Sequence, residues 1–243
     1  MALTASRKKT SRALALVAAP VSAQHAHGSL NERVYQAIRA AIERGDLRPG
    51  QRVKELEIGA SLAVSRTPVR EALRRLETEG MLEVEPRIGL VVASLDRQAV
   101  MELYAMRELL ESEAAALCAA HATDLEIVEL GELVRREQRL NDVDELVRHN
   151  RRFHDAIHRG AHNRYLIKSL DTVNDSMWLL GPSQMRLPHR AKTARKEHAD
   201  LYAAIRTRDA RAAEAVARFH VQAARRERLK SLFPDYVEAM ETK

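Results

Sequence analysis

The sequence predicts a mostly α chain in two parts: three short helices closed by a small β hairpin, then an all-α antiparallel bundle. Three observations carry this reading. Of the 243 residues, 45% are hydrophobic, only 4% aromatic and 30% charged, the balance expected of helices packed through Leu, Ala, Ile and Val. Nine glycines and seven prolines are too few for an all-β fold or long low-complexity tracts. Apolar residues recur at helical spacing through most of the chain, and strand-like runs occur only between residues 81 and 94. The length suits two domains, and no run approaches the roughly 20 apolar residues needed to span a bilayer.

Residues 1–28 contain Arg7, Lys8, Lys9 and Arg12 with no acid, then a short apolar patch cut by Pro20. The patch imitates a secretory leader but is short and interrupted, so the segment reads as a disordered basic arm. Leu30–Arg44 places Val34, Ala37, Ile38, Ala41 and Ile42 on one helical face and ends in a turn running from Gly45 to Gly50. Lys54–Leu62 is a second helix, and Ala63-Val64-Ser65-Arg66 is a short connection. The third helix lies within Ser65–Gly80. Thr67 is its expected cap and Pro68 its first residue; Val69, Ala72, Leu73 and Leu76 form its apolar face, and Gly80 supplies a left-handed stop. Met81–Glu85 and Leu90–Ser94 are strand-like and joined through Pro86-Arg87-Ile88-Gly89, a hairpin that makes a wing. Residues 29–94 thus predict a winged helix-turn-helix.

Arg66, Arg70 and Arg74 cluster at and after the start of that third helix, where cations oppose the helix dipole. Either they form a solvated flank or they meet an external anion, and the major groove of DNA supplies one. Bulk charge does not decide between these. The net +6 divides into +4 in residues 1–28, +1 in residues 29–94 and +1 beyond, so the argument rests on where the arginines stand.

From Leu95 onward no strand-like run occurs. Asp96 caps a long helix to about His121, with Val100, Leu103, Met106, Leu110 and Ala114 expected inward. Further helices are expected at Thr123–Leu140, Val143–Arg159, Asn163–Leu180, Pro188–Arg206 and Asp209–Leu232, with caps at Thr123, Asn163 and Asp209. Short loops between them fit antiparallel neighbours, so residues 95–232 read as a bundle and 233–243 as a tail. The single cysteine, Cys118, falls in an apolar run and reads as a buried thiol of a reducing, cytoplasmic compartment.

Ala41–Leu47 with Pro49-Gly50, then VSRTPVREALRRLETEGML (Val64–Leu82), then Gly89 resemble the GntR family of bacterial transcription regulators. Arg107–Ala119, Asn150–Ile157, Lys196–Ile205 and Ala217–His220 resemble, in order, the FCD ligand domain of its FadR-like subgroup. The resemblance covers about residues 30–232. It implies a homodimer on a palindromic double-stranded operator that responds to a small organic acid. It also implies Arg66 and Arg70 as base readers, Ser65 and Thr67 as phosphate anchors, and Arg87 and Gly89 at the wing tip. Arg74 lies further along, facing phosphate or solvent. The sequence departs from the family pattern at Gly59 and Ala63, where Ala and Gly respectively are usual. Gly59 weakens its helix by roughly 1 kcal/mol relative to Ala, and Ala63 costs little if the turn avoids positive φ.

Asn150, His154, His158 and His162 repeat every four positions, and spacing alone does not choose among them. His154 borders the apolar stripe of Phe153 and Ile157, His198 lies among Ala194, Leu201 and Ile205, and His220 lies near Val216, Phe219 and Ala223. Three histidines from three helices suit a divalent cation, zinc first, with nickel and manganese as alternatives. The resemblance implies the same set with Asn150 in the place of an Asp or Asn ligand; buried histidines without metal are the plainer reading. Arg107 and Glu111, spaced i, i+4, are either a surface ion pair or, as the resemblance implies, a carboxylate clamp for the effector. Met177, Trp178 and Met185 are candidate pocket linings. A metal centre of three histidines also suits a hydrolase, but Glu197 is the only tempting base, its place beside His198 turns it away, and no phosphate loop, nucleophile elbow or HExxH is present. The expectation is a regulator, not an enzyme. Its two rivals are a metal-independent regulator and a metal-dependent enzyme with a vestigial DNA-binding head.

Overall fold

The computed structural model describes residues 29–235; the basic arm and most of the C-terminal tail lie outside the described residues. The described residues form two compact units. The first ends at Leu95 and also takes in Ser176–Pro182; the second runs Asp96–Asp175 and resumes at Ser183.

In the first unit, α1 (Leu30–Arg44) starts at Ser29, whose side chain accepts from Glu32 N, and stops at Gly45 with φ 77°. α2 (Glu55–Leu62) and α3 (Arg66–Thr78) follow, then β1 (Leu82–Glu85) and β2 (Gly89–Val92), paired antiparallel from Leu82↔Val92 to Glu85↔Gly89. Residues 50–53 add a short outer edge, with Val53 N donating to Leu90 O and Val92 N to Gln51 O. Val34, Ile38, Ile42, Ile58, Leu62, Val69 and Leu76 meet in one core, which Leu179 also enters. Trp178 packs against that same core, with Arg39 above its ring at 5.0 Å, so it is not a lining of a pocket in the bundle. Nothing in the local pattern of residues 176–182 marks them as part of the first unit, because their apolar side chains would serve a bundle core equally well.

The second unit is all helical: α4 (Arg97–His121), α5 (Asp124–Glu137), α6 (Val143–Gly160), α7 (Arg164–Met177), α8 (Pro188–Arg206) and α9 (Ala210–Leu232). The expected caps form: Asp96 accepts from Ala99 N, Asp209 from Ala212 N, and Thr123 and Glu126 make a reciprocal capping box. Asn163 accepts from Tyr165 N and Leu166 N at the start of α7. That helix ends at Met177, three residues earlier than expected, and continues as a 3-10 turn (Trp178–Leu180). α4 packs along α9, α8 against α9 and α5, and α6 against α4 and α5. Ala115, Cys118, Leu130, Phe153, Ile157, Leu201, Ile205 and Ala217 fill the core between them. Met185 instead joins a smaller cluster with Leu140, Leu146, Ala191 and Ala194.

Two apolar phases differ from expectation. On α4 the buried positions are Val100, Tyr104, Glu111, Ser112, Ala114, Ala115, Cys118 and Ala119, while Met106 is exposed. On α9, Phe219 is exposed and Ala213, Ala217, Val221 and Ala224 turn inward. In both helices small residues let neighbours approach closely, so alanine marks the core better than the large apolar residues do. Burial pushes the Cys118 thiol up to about 12, as an inert buried sulfur requires. Among the described residues no helix is long and apolar enough to cross a membrane.

Candidate nucleic-acid interface and buried histidine cluster

α3 begins earlier than the cap reading placed it. Ser65 is the N-cap (φ −67°, ψ 167°), without a side-chain capping bond, and Arg66 is the first helical residue. Thr67 is therefore not the cap, and Pro68 stands third in the helix. Any of these positions tolerates proline, because the first four N–H groups have no intrahelical acceptor to lose. At the other end Gly80 takes φ 73°, Gly80 N donates to Glu77 O and Met81 N to Leu76 O, a Schellman stop. Arg66 thus opens the helix and Arg70 begins its second turn.

Ser65, Arg66, Thr67, Arg70, Arg74 and Arg87 are all exposed, and Gly89 is half-buried. Arg75, the fourth arginine of this helix, has a different job. It bonds Glu32 and Glu79 at 2.7 and 2.9 Å and lies 3.7 Å from the centre of the Tyr35 ring, tying α3 to α1. The wing turn carries Arg87 at φ 69° after Pro86, with Ile88 N donating to Glu85 O. Arginine in this left-handed region costs roughly 1–2 kcal/mol relative to glycine. The Arg52 guanidinium reaches the same end of the hairpin: a Cβ at Gly89 would lie 3.8 Å from its Nη2. Arg52 carries no local signal of this, because it lies outside the wing in the chain and joins it through the pairing of residues 50–53 with β2.

The turn between α2 and α3 does not avoid positive φ: Ala63 sits at φ 54°, ψ 42°. Its departure from the family pattern therefore carries a cost of about 1–2 kcal/mol. Gly59 has a packing reason instead, since a Cβ there would come 3.2 Å from the Val64 carbonyl oxygen.

In the second unit, three histidines expected to converge do so. His154 (α6), His198 (α8) and His220 (α9) are all buried, with ring centroids 5.0–5.3 Å apart and one ligand atom from each within 4.8 Å of the others. Asn150 is half-buried one turn before His154 on α6. His158, unlike the plain solvated-stripe reading, is also buried, and it groups with Glu111 and His154. His162 is exposed and bonds Glu126.

Three carboxylates complete the cluster. Glu111 Oε2 is 3.0 Å from His154 Nδ1, both Glu137 oxygens are 3.0 Å from His198 Nδ1, and Glu197 Oε2 is 2.6 Å from His220 Nδ1. Each ring is thereby held at one nitrogen. The Nε2 atoms of His154 and His198 are buried without a hydrogen-bond partner. Burial pushes His198 below the ordinary histidine value and, with His198, His154 and Arg190 around it, pushes His220 well below, so these rings are neutral. A neutral imidazole that donates from Nδ1 to a carboxylate carries its lone pair on Nε2, the arrangement that surrounds a histidine-bound metal ion. The donor set therefore fits a divalent cation, and unpaired buried nitrogens are costly without one.

Of these carboxylates only Glu111 and Glu197 drew notice in the sequence, and both in other roles. Glu197 is turned away from its neighbour His198, as its helical position requires, but toward His220 on α9; it also takes Arg190 Nη1 at 2.8 Å. Arg107, half-buried, pairs at 2.7 Å with the buried Glu111, so the two are not a surface pair. Burial raises the Glu111 carboxyl, but Arg107 and His154 outweigh it and hold the group well below the usual carboxylate range. Glu137 sits at the end of α5, 61 residues before its histidine, and carries no local signal.

A winged helix with exposed arginines at the start of its third helix, joined to a helical unit enclosing a buried polar cluster, defines a class: DNA-binding regulators with a ligand-sensing domain. Residues 30–92 match the model "Bacterial regulatory proteins, gntR family", and residues 102–223 match the FCD domain. The uncharacterized HTH-type transcriptional regulator YdhC of Bacillus subtilis is 30% identical over 184 residues, 74% of this chain and 82% of that one. The Nta operon transcriptional regulator of Aminobacter aminovorans is 40% identical over 96 residues, which cover 40% of this chain and 46% of that relative. Among solved structures, E. coli McbR/YncC superposes with a TM-score of 0.72 at 24% identity, over 84% of this chain and 99% of that one, a likeness of fold. The chain belongs to the gntR family of bacterial regulatory proteins, in the branch that carries an FCD effector-binding domain. It is a transcription regulator.

Proposed function

We propose that this chain is a cytoplasmic, homodimeric repressor that binds a palindromic operator through residues 29–94 and senses a small carboxylate through residues 95–232. Arg66 and Arg70 read base edges, Ser65, Thr67 and Arg74 contact phosphate, and Arg87 and Gly89 present the wing to the minor groove. That Ser65, Arg66, Thr67, Arg70, Arg74 and Arg87 are exposed, and that Arg75 instead ties α3 to α1 through Glu32 and the Tyr35 ring, supports the assignment. Relatives named as the gluconate operon repressor of Bacillus subtilis and the probable D-xylose utilization operon repressor of Paenarthrobacter nicotinovorans favour repression.

In the bundle, His154, His198 and His220 hold a divalent cation, zinc first with nickel or manganese as alternatives, and Asn150 is the weaker fourth ligand. The observation that carries this is the pairing of buried, unpartnered Nε2 atoms with carboxylate-held Nδ1 atoms. When bound, the cation supplies open coordination positions for an anionic effector. Arg107 flanks the site; its Nε is spent on Glu111, and its terminal nitrogens are the edge that clamps a carboxylate. The effector binds one form of the protein more tightly and shifts the population toward it, lowering operator affinity.

Metal analysis of the purified full-length protein, paired with melting curves before and after chelation, tests this. One equivalent of metal per chain and a melting point lowered by chelation are expected. Metal-free protein whose melting point ignores both chelator and added zinc would sink the metal reading in favour of a metal-independent regulator. A screen of small organic acids by thermal shift, with and without the metal, then identifies the effector class.

A further inference from the structure

A carboxylate stands where a DNA-binding surface should least welcome one. Glu55, the first residue of α2, accepts from Arg66 Nε at 2.8 Å through Oε1, and from Arg70 Nε at 3.3 Å and Nη2 at 3.2 Å through its two oxygens. One acid thus binds both proposed base readers across 11 and 15 residues of sequence. Both arginines are more than half exposed. As an isolated surface pair this would add little to stability. Placed against DNA it would repel phosphate and lower affinity for every sequence alike. The gain must lie elsewhere.

The atoms used suggest where. Arg66 spends only Nε, and Arg70 spends the edge made by Nε and Nη2. Each guanidinium keeps the opposite end, the Nη1–H and Nη2–H pair, which is the edge that bonds guanine O6 and N7 together. An unrestrained arginine has several rotatable bonds and reaches phosphates as readily as bases. Fixing the side edge orders the chain before binding and removes the conformations that reach backbone phosphate. The hydrogen bonds from Arg70 and Arg66 hold the Glu55 carboxyl below its usual range.

We propose that Glu55 is a positioning residue for sequence specificity: it holds Arg66 and Arg70 so that both present their terminal edges to guanine, trading general affinity for discrimination. This rests on the reading of Arg66 and Arg70 as base readers. The proposal has a signature that a merely structural residue lacks, because specific binding should weaken while non-specific binding does not when the carboxylate is lost.

The experiment uses the full-length chain to select a preferred duplex from a randomised pool. Affinities for that duplex and a scrambled one of equal composition are then measured for wild type, Glu55→Ala, Glu55→Gln and Arg70→Ala. For Glu55→Ala we expect about tenfold weaker binding to the selected duplex, the size of one mismatched base pair. Binding to the scrambled duplex should be unchanged or tighter, with a steeper salt dependence as the freed arginines find phosphates. Glu55→Gln, which keeps an acceptor but not the charge, should fall between. The guanine preference in a repeated selection should relax. An unchanged ratio of the two affinities in both Glu55 variants overturns the proposal, as does equal weakening on both duplexes. Arg70→Ala separates the two levels. If it leaves the selected-duplex affinity intact, the base-reader assignment itself fails; if it weakens that binding while Glu55→Ala does not change the ratio, only the role of Glu55 fails.

Discussion

The start of α3 and the histidine cluster of the bundle both concentrate charge, and they do so under opposite physical conditions. Around α3 the arginines and Glu55 are in contact with solvent, where each ion pair is worth little to stability and water can replace either partner. In the bundle, Glu111, Glu137, Glu197 and Arg190 are buried, where each charge is tolerable only because another group answers it. Surface charges can therefore be altered singly to read their effect on a ligand. Buried ones act as a set, and removing one leaves its neighbour uncompensated.

The sharpest way to break the contrast is inside the bundle. Arg190→Ala strips Glu197 of its guanidinium and leaves a carboxylate buried beside His220. It should cost about 3–5 kcal/mol in urea unfolding, whereas a loss below about 1 kcal/mol would mean that the group is solvated like the surface pairs.

Ligand linkage gives the next effect. Zinc at 100 times its dissociation constant should stabilise the protein by about 2.7 kcal/mol, and His198→Ala should abolish that gain. The metal-free protein should also lose stability on acidification. His198 and His220 are depressed in the native state, so the unfolded chain binds more protons once the pH falls below the ordinary histidine value. A melting point of the chelated protein that stays flat between pH 7 and 5 would contradict those depressed values.

At the DNA-facing surface the effects are smaller for folding and larger for binding. Arg70→Ala should leave the melting curve in place while costing about 1–3 kcal/mol on the selected duplex and relaxing one base position. Arg87→Gly is the mildest change. Relief of the left-handed strain should raise stability by about 1 kcal/mol or less once the extra freedom of unfolded glycine is counted. Duplex affinity should fall, and the salt slope should drop by about one. Stability and affinity moving together would argue that Arg87 supports the wing rather than DNA.

How far the sequence could be read differs between these regions for one reason. Arg66, Arg70 and Arg74, proposed to face DNA, stand on one short stretch, so their spacing alone grouped them, while Ser65 and Thr67 joined them only through the family resemblance. Even there the helix start was misjudged, because Ser65, Thr67 and Pro68 all satisfy first-turn chemistry. His154, His198 and His220 were legible only as polar residues bordering apolar stripes. Glu137 was invisible, and Glu111 was read only as the partner of Arg107, since the histidine each serves lies on another helix.

By itself, then, the amino-acid sequence determined what is decided within a few turns of chain: where helices run, where Gly45 and Gly80 stop them, the caps at Asp96, Thr123, Asn163 and Asp209, and where the arginines of α3 stand. Tertiary structure alone decided which carboxylate answers which histidine, that Leu179 completes the core of the first unit, that Arg75 ties α3 to Glu32 and Tyr35 of α1, and that Glu55 joins two arginines. Helical periodicity tells a residue which side of its own helix it occupies. Only packing tells it which residue it will meet there.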